Sequence, residues 1–207
     1  MNTMNEKIEK YRSDMSYLKS IRIHFLIVTL VFFLSTALGF IHSSTNPEFA
    51  LQSLEEVSKL FDIIKDLSPI GIMLFIFFNN AIKSLFIIML GIGFGILPLL
   101  FIAYNGYIIG VVVYAVSSEN GIAFILSAIL PHGIIELPMV FISAAIGLKI
   151  GYEMFHSITG HPADIRSEFS HGVKFFFYRI MPLLFVAAVV ETFVTPFVVA
   201  AITGIGI

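Results

Sequence analysis

Residues 70–118 are almost unbroken apolar sequence, and that run constrains the chain more than any other feature. It is roughly twice the ~20 residues that one helix needs to cross a bilayer core. In hydrocarbon every backbone N–H and C=O must find its partner within the protein, so such a run must be helical and must turn once. Gly91, Gly93, Gly95 and Pro98 punctuate its middle, which predicts a helical hairpin turning near 95–98. Three further apolar stretches extend the pattern. The predicted fold is an all-α polytopic membrane helix bundle, with residues 1–20 as an N-terminal segment and 21–207 as a single transmembrane domain. Its spans, about five in number, fall at about 21–41, 70–94, 98–118, 121–152 and 173–207. Pro131 and Pro138 in the fourth span, and Pro182 and Pro196 in the fifth, predict that both are proline-broken, kinked or locally unwound. The composition fits this solvent: 57% of the residues are hydrophobic and 13% charged, against about 25% charged in soluble domains. No small-residue cleavage site follows the first apolar run, because Ser35 through Phe40 simply continues it, so it reads as a retained helix.

Charge sets the expected orientation. Lys7, Lys10, Arg12, Lys19 and Arg22 precede or open the first span, and Lys149, Arg166, Lys174 and Arg179 lie in or beside the loop at 153–172. Basic residues favour the cytoplasmic side, so the reading is a multi-pass plasma-membrane protein with its N-terminus in the cytoplasm and its C-terminus outside. The 43–69 segment then lies outside. Asn46-Pro47 reads as a cap followed by proline at the first helical position, and Leu51, Leu54, Val57, Phe61 and Ile64 recur at helical spacing. This is the signature of an outer amphipathic helix resting on the bilayer or the bundle, or docking a membrane or extracytoplasmic protein partner. A net charge of −2 without a basic cluster excludes a nucleic-acid partner. The absence of cysteine excludes disulfides and thiolate metal sites. Gly91-x-x-x-Gly95, Gly106-x-x-x-Gly110 and Gly147-x-x-x-Gly151 allow close helix approach, within the bundle or in a homodimer.

The chemically informative residues are polar ones deep within spans, where each ionisable group costs a few kcal/mol unless it is paired. The second span carries Asn79, Asn80 and Lys83, the third Asn105, the fourth His132 and Glu136, and the fifth Glu191. His132 and Glu136 stand four residues apart, on one helical face. Three arrangements satisfy these groups. His132, Glu136 and Glu191 offer one nitrogen and two carboxylates with an open fourth position, a set that suits a divalent metal such as zinc. The carboxylates could instead pair with Lys83 and His132 and carry protons. Or the whole set, with Asn79, Asn80, Lys83 and Asn105 as a polar intramembrane network, could lock the helices together. His156, His161 and His171 lack compact ligand spacing and read as solvated loop histidines. No His-Glu-x-x-His, Gly-x-Ser-x-Gly or phosphate-cradling loop is present, so no catalytic residue is assigned.

Phe78-Asn79-Asn80, Gly91 to Gly95, Asn105-Gly106 with Gly110, Pro131-His132-Gly133 through Glu136 and Pro138, and Gly147 together resemble the stage II sporulation protein M family from about residue 20 onward. The resemblance implies a five-span membrane protein. In spore-forming bacteria the family member anchors a peptidoglycan-degrading complex that drives membrane migration during engulfment. Asn79, Asn80, Asn105, His132 and Glu136 are the polar positions that the resemblance carries over. The expected function is therefore that of a non-enzymatic scaffold or membrane-remodelling component with a buried polar or metal-binding intramembrane site. The alternatives are a small transporter or permease with a midplane carboxylate–histidine site, suggested by the proline-broken spans, and a metal-dependent intramembrane hydrolase.

Overall fold

The computed structural model describes residues 14–204, apart from the side chains of 56–58 and 60–64. Within that range the chain is helical, with short turns. Helix α1 spans Arg22–Thr45, α2 Pro47–Ile64, α3 Pro69–Leu90, α4 Ile96–Asn120 and α5 Ile122–Ile158. Helix α6, Ile165–Phe175, passes through a π-helical turn at Phe176–Ile180 into α7, Met181–Phe193, and α8, Thr195–Thr203, follows. Five helices are long and apolar enough to cross a membrane: α1, α3, α4, α5 and the continuous Ile165–Phe193 stretch. Their exteriors carry exposed large apolar side chains such as Leu26, Leu30, Phe78, Leu100 and Ile134, the surface that a lipid solvent requires.

The two proline-bearing spans behave differently. Helix α5 runs through Pro131 and Pro138 without a break, contrary to the interruption expected there. Each proline removes one N–H and frees the carbonyl four residues earlier, at Ser127 and Ile134, but a packed helix tolerates that local loss. The fifth span carries irregular backbone beside both of its prolines, a π turn within the helix and a break just beyond its end. The π turn lies immediately before Met181-Pro182, and the chain leaves helix at Val194, immediately before Thr195-Pro196.

Glycine brings the helices together. A Cβ on Gly106 would stand 2.5 Å from the Phe32 carbonyl oxygen, while Gly110 and Gly39 meet the backbones of Thr36 and Tyr107, so α1 and α4 touch main chain to main chain. On the other side of the bundle, Gly91 faces Gly147, and Gly95 faces Gly151. The hairpin turn that places Gly91 and Gly95 occupies 91–95, slightly before the expected position, and holds Phe94 and Gly95 at positive φ. All three glycine pairs are thus consumed inside one chain and carry no argument for a dimer.

Helix α2 packs on the bundle through Ala50 and Leu54, which meet Val111, Ala115, Tyr107 and Tyr114 of α4. The side chains of Val57, Phe61 and Ile64 lie outside the described residues, as do the basic Lys7, Lys10 and Arg12. At the start of α2 the Asn46 side-chain amide donates backwards to the His42 carbonyl at 3.2 Å, and the Asn46 backbone carbonyl accepts from the Phe49 N–H at 3.1 Å. At the opposite end of the bundle, residues 14–20 form a helix that bends at Ile21 and lies antiparallel to α6. Asp14 pairs with Arg179, Tyr17 stacks on His171 at 4.2 Å and lies 5.4 Å from Phe175, and Ser20 accepts from Lys149 at 3.0 Å.

Candidate metal centre between the fourth and fifth spans

His132 and Glu136 occupy successive turns of α5, and Glu191 lies near the end of α7, just before the break at Val194. The antiparallel packing of these two helices brings one ligand atom from each residue within 4.8 Å of the other two. All three residues are partly buried. His132 Nδ1 is buried without a hydrogen-bond partner, so at least one polar atom of the cluster is left unsatisfied. In tetrahedral zinc sites N and O ligands at about 2.0–2.2 Å from the metal stand ~3.4 Å apart. One imidazole and two carboxylates are a donor set that zinc sites use with one position left open, and here the ligand atoms lie within 4.8 Å of one another, a looser spacing than that of bound ligands. The proline-freed carbonyls of Ser127 and Ile134 flank the same two turns of α5.

The remaining polar residues divide. Lys83 on α3 lies within electrostatic reach of Glu136, as does Glu191. The Lys83 side chain is exposed on the helix exterior. Asn79 and Asn80 hydrogen-bond each other at 3.3 Å, and Asn105 donates to the Phe101 carbonyl of its own helix at 2.7 Å. Among the described residues no hydrogen bond joins these amides to His132, Glu136 or Glu191.

A second polar cluster was not legible in the sequence. Lys149 of α5 forms an ion pair with Glu168 of α6 at 2.8 Å, with side chains only 14% and 15% exposed. Its ammonium also sits 5.4 Å above the Tyr17 ring. The Tyr17 phenol is pushed well above its ordinary range, first by burial and then by the Glu168 carboxylate, so it stays neutral. His171, expected in a solvated loop, is instead on α6 and stacked on Tyr17. His156 and His161 have ring centres 5.1 Å apart, and His161 shares a 3.0 Å contact with Thr159. Lys149 and Arg179 entered the sequence reading only as orienting charges. Their partners lie 19 positions (Lys149 to Glu168) and 165 positions (Arg179 to Asp14) away in the chain, and no periodicity connects them.

The family model for Stage II sporulation protein M matches residues 28–196, which contain all five spans in whole or large part and every residue of the candidate centre. Uncharacterized protein MJ0793 of Methanocaldococcus jannaschii is 32% identical over 179 residues, covering 83% of this chain and 93% of that protein. Uncharacterized protein MJ0706 of the same organism is 29% identical over 180 residues, covering 82% and 80%. No solved structure matches the chain.

Proposed function

The chain belongs to the stage II sporulation protein M family, and from that premise we propose that it is a membrane scaffold or membrane-remodelling component whose fourth and fifth spans are clamped by a divalent cation. The observation that carries this reading is the meeting of His132, Glu136 and Glu191 within 4.8 Å, from two helices, in a medium where unpaired carboxylates are costly. A divalent ion such as zinc would balance two carboxylates in one stroke and would use the imidazole as a neutral ligand. His132 and Glu136 share one rigid helix and fix their own spacing, while Glu191 closes the site from α7. Bound metal would therefore couple the position of the fifth span to that of the fourth. The N-terminus is assigned to the cytoplasmic side of the plasma membrane, with α2 on the outside as the surface open to a partner protein.

Elemental analysis of the detergent-purified protein tests the centre. About one equivalent of metal in the wild type, lost in Glu136→Gln, is the expected result. No stoichiometric metal, together with a Glu136→Gln variant that melts at the wild-type temperature, would sink it.

One observation favours a second reading. The fifth span loses its helix at Val194, three residues beyond Glu191, and broken helices beside buried carboxylates are how transporters build midplane sites. On that reading the same triad is a transit site rather than a clamp. Proteoliposomes with the metal on one side distinguish the two: a clamp holds the ion without flux, whereas a permease passes it and Glu191→Gln stops the passage.

A further inference from the structure

Arg179 lies in the π turn between α6 and α7, where it pairs with Asp14 of the N-terminal helix, and it borders an apolar groove of about 260 Å³. The groove lies between the helix of residues 14–20, α5 and the fifth span, with Met15, Leu18, Met139, Ile142 and Leu183 forming its walls. Met15 and Leu183 are 40% and 42% exposed, so the groove opens on the outer surface of a membrane-crossing helix, where the surrounding matter is lipid. Its volume is below the roughly 300–1,000 Å³ of pockets for drug-sized ligands, which suits a single narrow chain. Two of its walls carry methionine, whose unbranched side chain adapts to an irregular occupant.

The polar edge of the groove is incomplete. Arg179 donates from Nε to Asp14 Oδ2 at 2.7 Å, and its terminal nitrogen donates to the same oxygen. A guanidinium has five donors, so the Asp14 oxygen takes only part of the set. The Arg179 side chain remains 43% exposed against 19% for Asp14, and it lines the groove. Cationic donors left without acceptors beside an apolar, lipid-facing groove are costly, and the acceptor that a bilayer supplies is a lipid phosphate. Guanidinium matches phosphate oxygens in planar, two-pronged geometry.

We propose that this groove is a phospholipid site, with one acyl chain lying along Leu183, Met139 and Ile142 and the phosphodiester accepting hydrogen bonds from Arg179. Asp14 holds the guanidinium in place, and the helix of residues 14–20 forms the third wall. The bound lipid would tie that helix to α5 and the fifth span on the N-terminal side of the membrane.

The purified protein, exchanged into detergent containing either phosphatidylglycerol or diacylglycerol, tests this by native mass spectrometry. The wild type is expected to retain one phosphatidylglycerol and to retain diacylglycerol, which lacks the phosphate, at least ten-fold less. Arg179→Gln should lower phosphatidylglycerol retention at least ten-fold. Leu183→Trp, which fills the groove and leaves the Asp14–Arg179 pair untouched, should do the same. Melting curves check that both variants are folded, and if Arg179→Gln is not, the comparison of the two lipids and Leu183→Trp decide. Equal retention of the two lipids by the wild type, or unchanged phosphatidylglycerol retention in the folded variants, would overturn the proposal.

Discussion

Helix α5 meets its neighbours in two opposite ways. In its second half, Gly147 and Gly151 face Gly91 and Gly95, and main chains touch with nothing between them. In its first half, His132 and Glu136 meet Glu191, and His132 Nδ1 is left buried without a hydrogen-bond partner. The glycine seam has no polar side chain to desolvate and only one way to fit. The polar seam carries the cost of desolvating ionisable groups, so its geometry would respond to any ion or proton that completed it.

The largest expected effect comes from crowding the glycine seam. Gly147→Leu puts a side chain where the Ile87 carbonyl oxygen and the Pro98 ring already stand, 2.6 and 3.0 Å from the Cβ position. It should cost about 3 kcal/mol or more, read as a collapse of the thermal transition in detergent. A wild-type melting temperature would mean that the seam is not tight. Next comes the polar seam. If a divalent ion completes it, chelation should lower the melting temperature by about 5–10 °C at ligand concentrations near 100 times Kd. The shift should vanish in Glu136→Gln and shrink at low pH, where protons compete for the ligands. A chelator that shifts both proteins equally would break the contrast between the two halves of α5.

A smaller effect is expected at the N-terminal side of the bundle. Glu168→Gln leaves the Lys149 ammonium without its carboxylate in a pocket only 14–15% exposed, which should cost about 2 kcal/mol in denaturant unfolding. No change would show that water, rather than Glu168, satisfies Lys149. The smallest effect concerns Tyr17. Its folded pKa lies above the ordinary 10.0, so the neutral phenol is what the fold accommodates. Stability should be intact below pH 10 and fall as pH rises further, because the unfolded chain releases the proton first. Tyr17→Phe should flatten that alkaline decline, and equal slopes for the two proteins would remove Tyr17 from the account.

These two seams were not equally readable. The glycine motifs and the polar residues were both visible as residues, and His132 with Glu136 could be placed on one face because four positions make one helical turn. That Gly91 pairs with Gly147, rather than with a second copy of the chain, depends on which helices become neighbours. The prolines of α5 were read as a break, kink or local unwinding and are carried within a continuous helix, because a packed helix tolerates the loss of an N–H at each. The prolines of the fifth span do coincide with irregular backbone. Local sequence alone did not distinguish the two cases.

What the sequence by itself determined was the number and approximate placement of the helices. Each span is fixed by a local balance: about 20 apolar residues bury nothing polar except a backbone that only a helix can satisfy. The tertiary structure decided which polar groups share a site. Glu191 is 55 residues from Glu136 in the chain, and it faces His132 and Glu136 only because the fifth span packs antiparallel to α5 in one register. The same holds for Asp14 and Arg179, brought together by the bend at Ile21. Such pairings are set by crossing angle and register, which arise from the summed contacts of whole helices and leave no periodic trace in either partner's sequence.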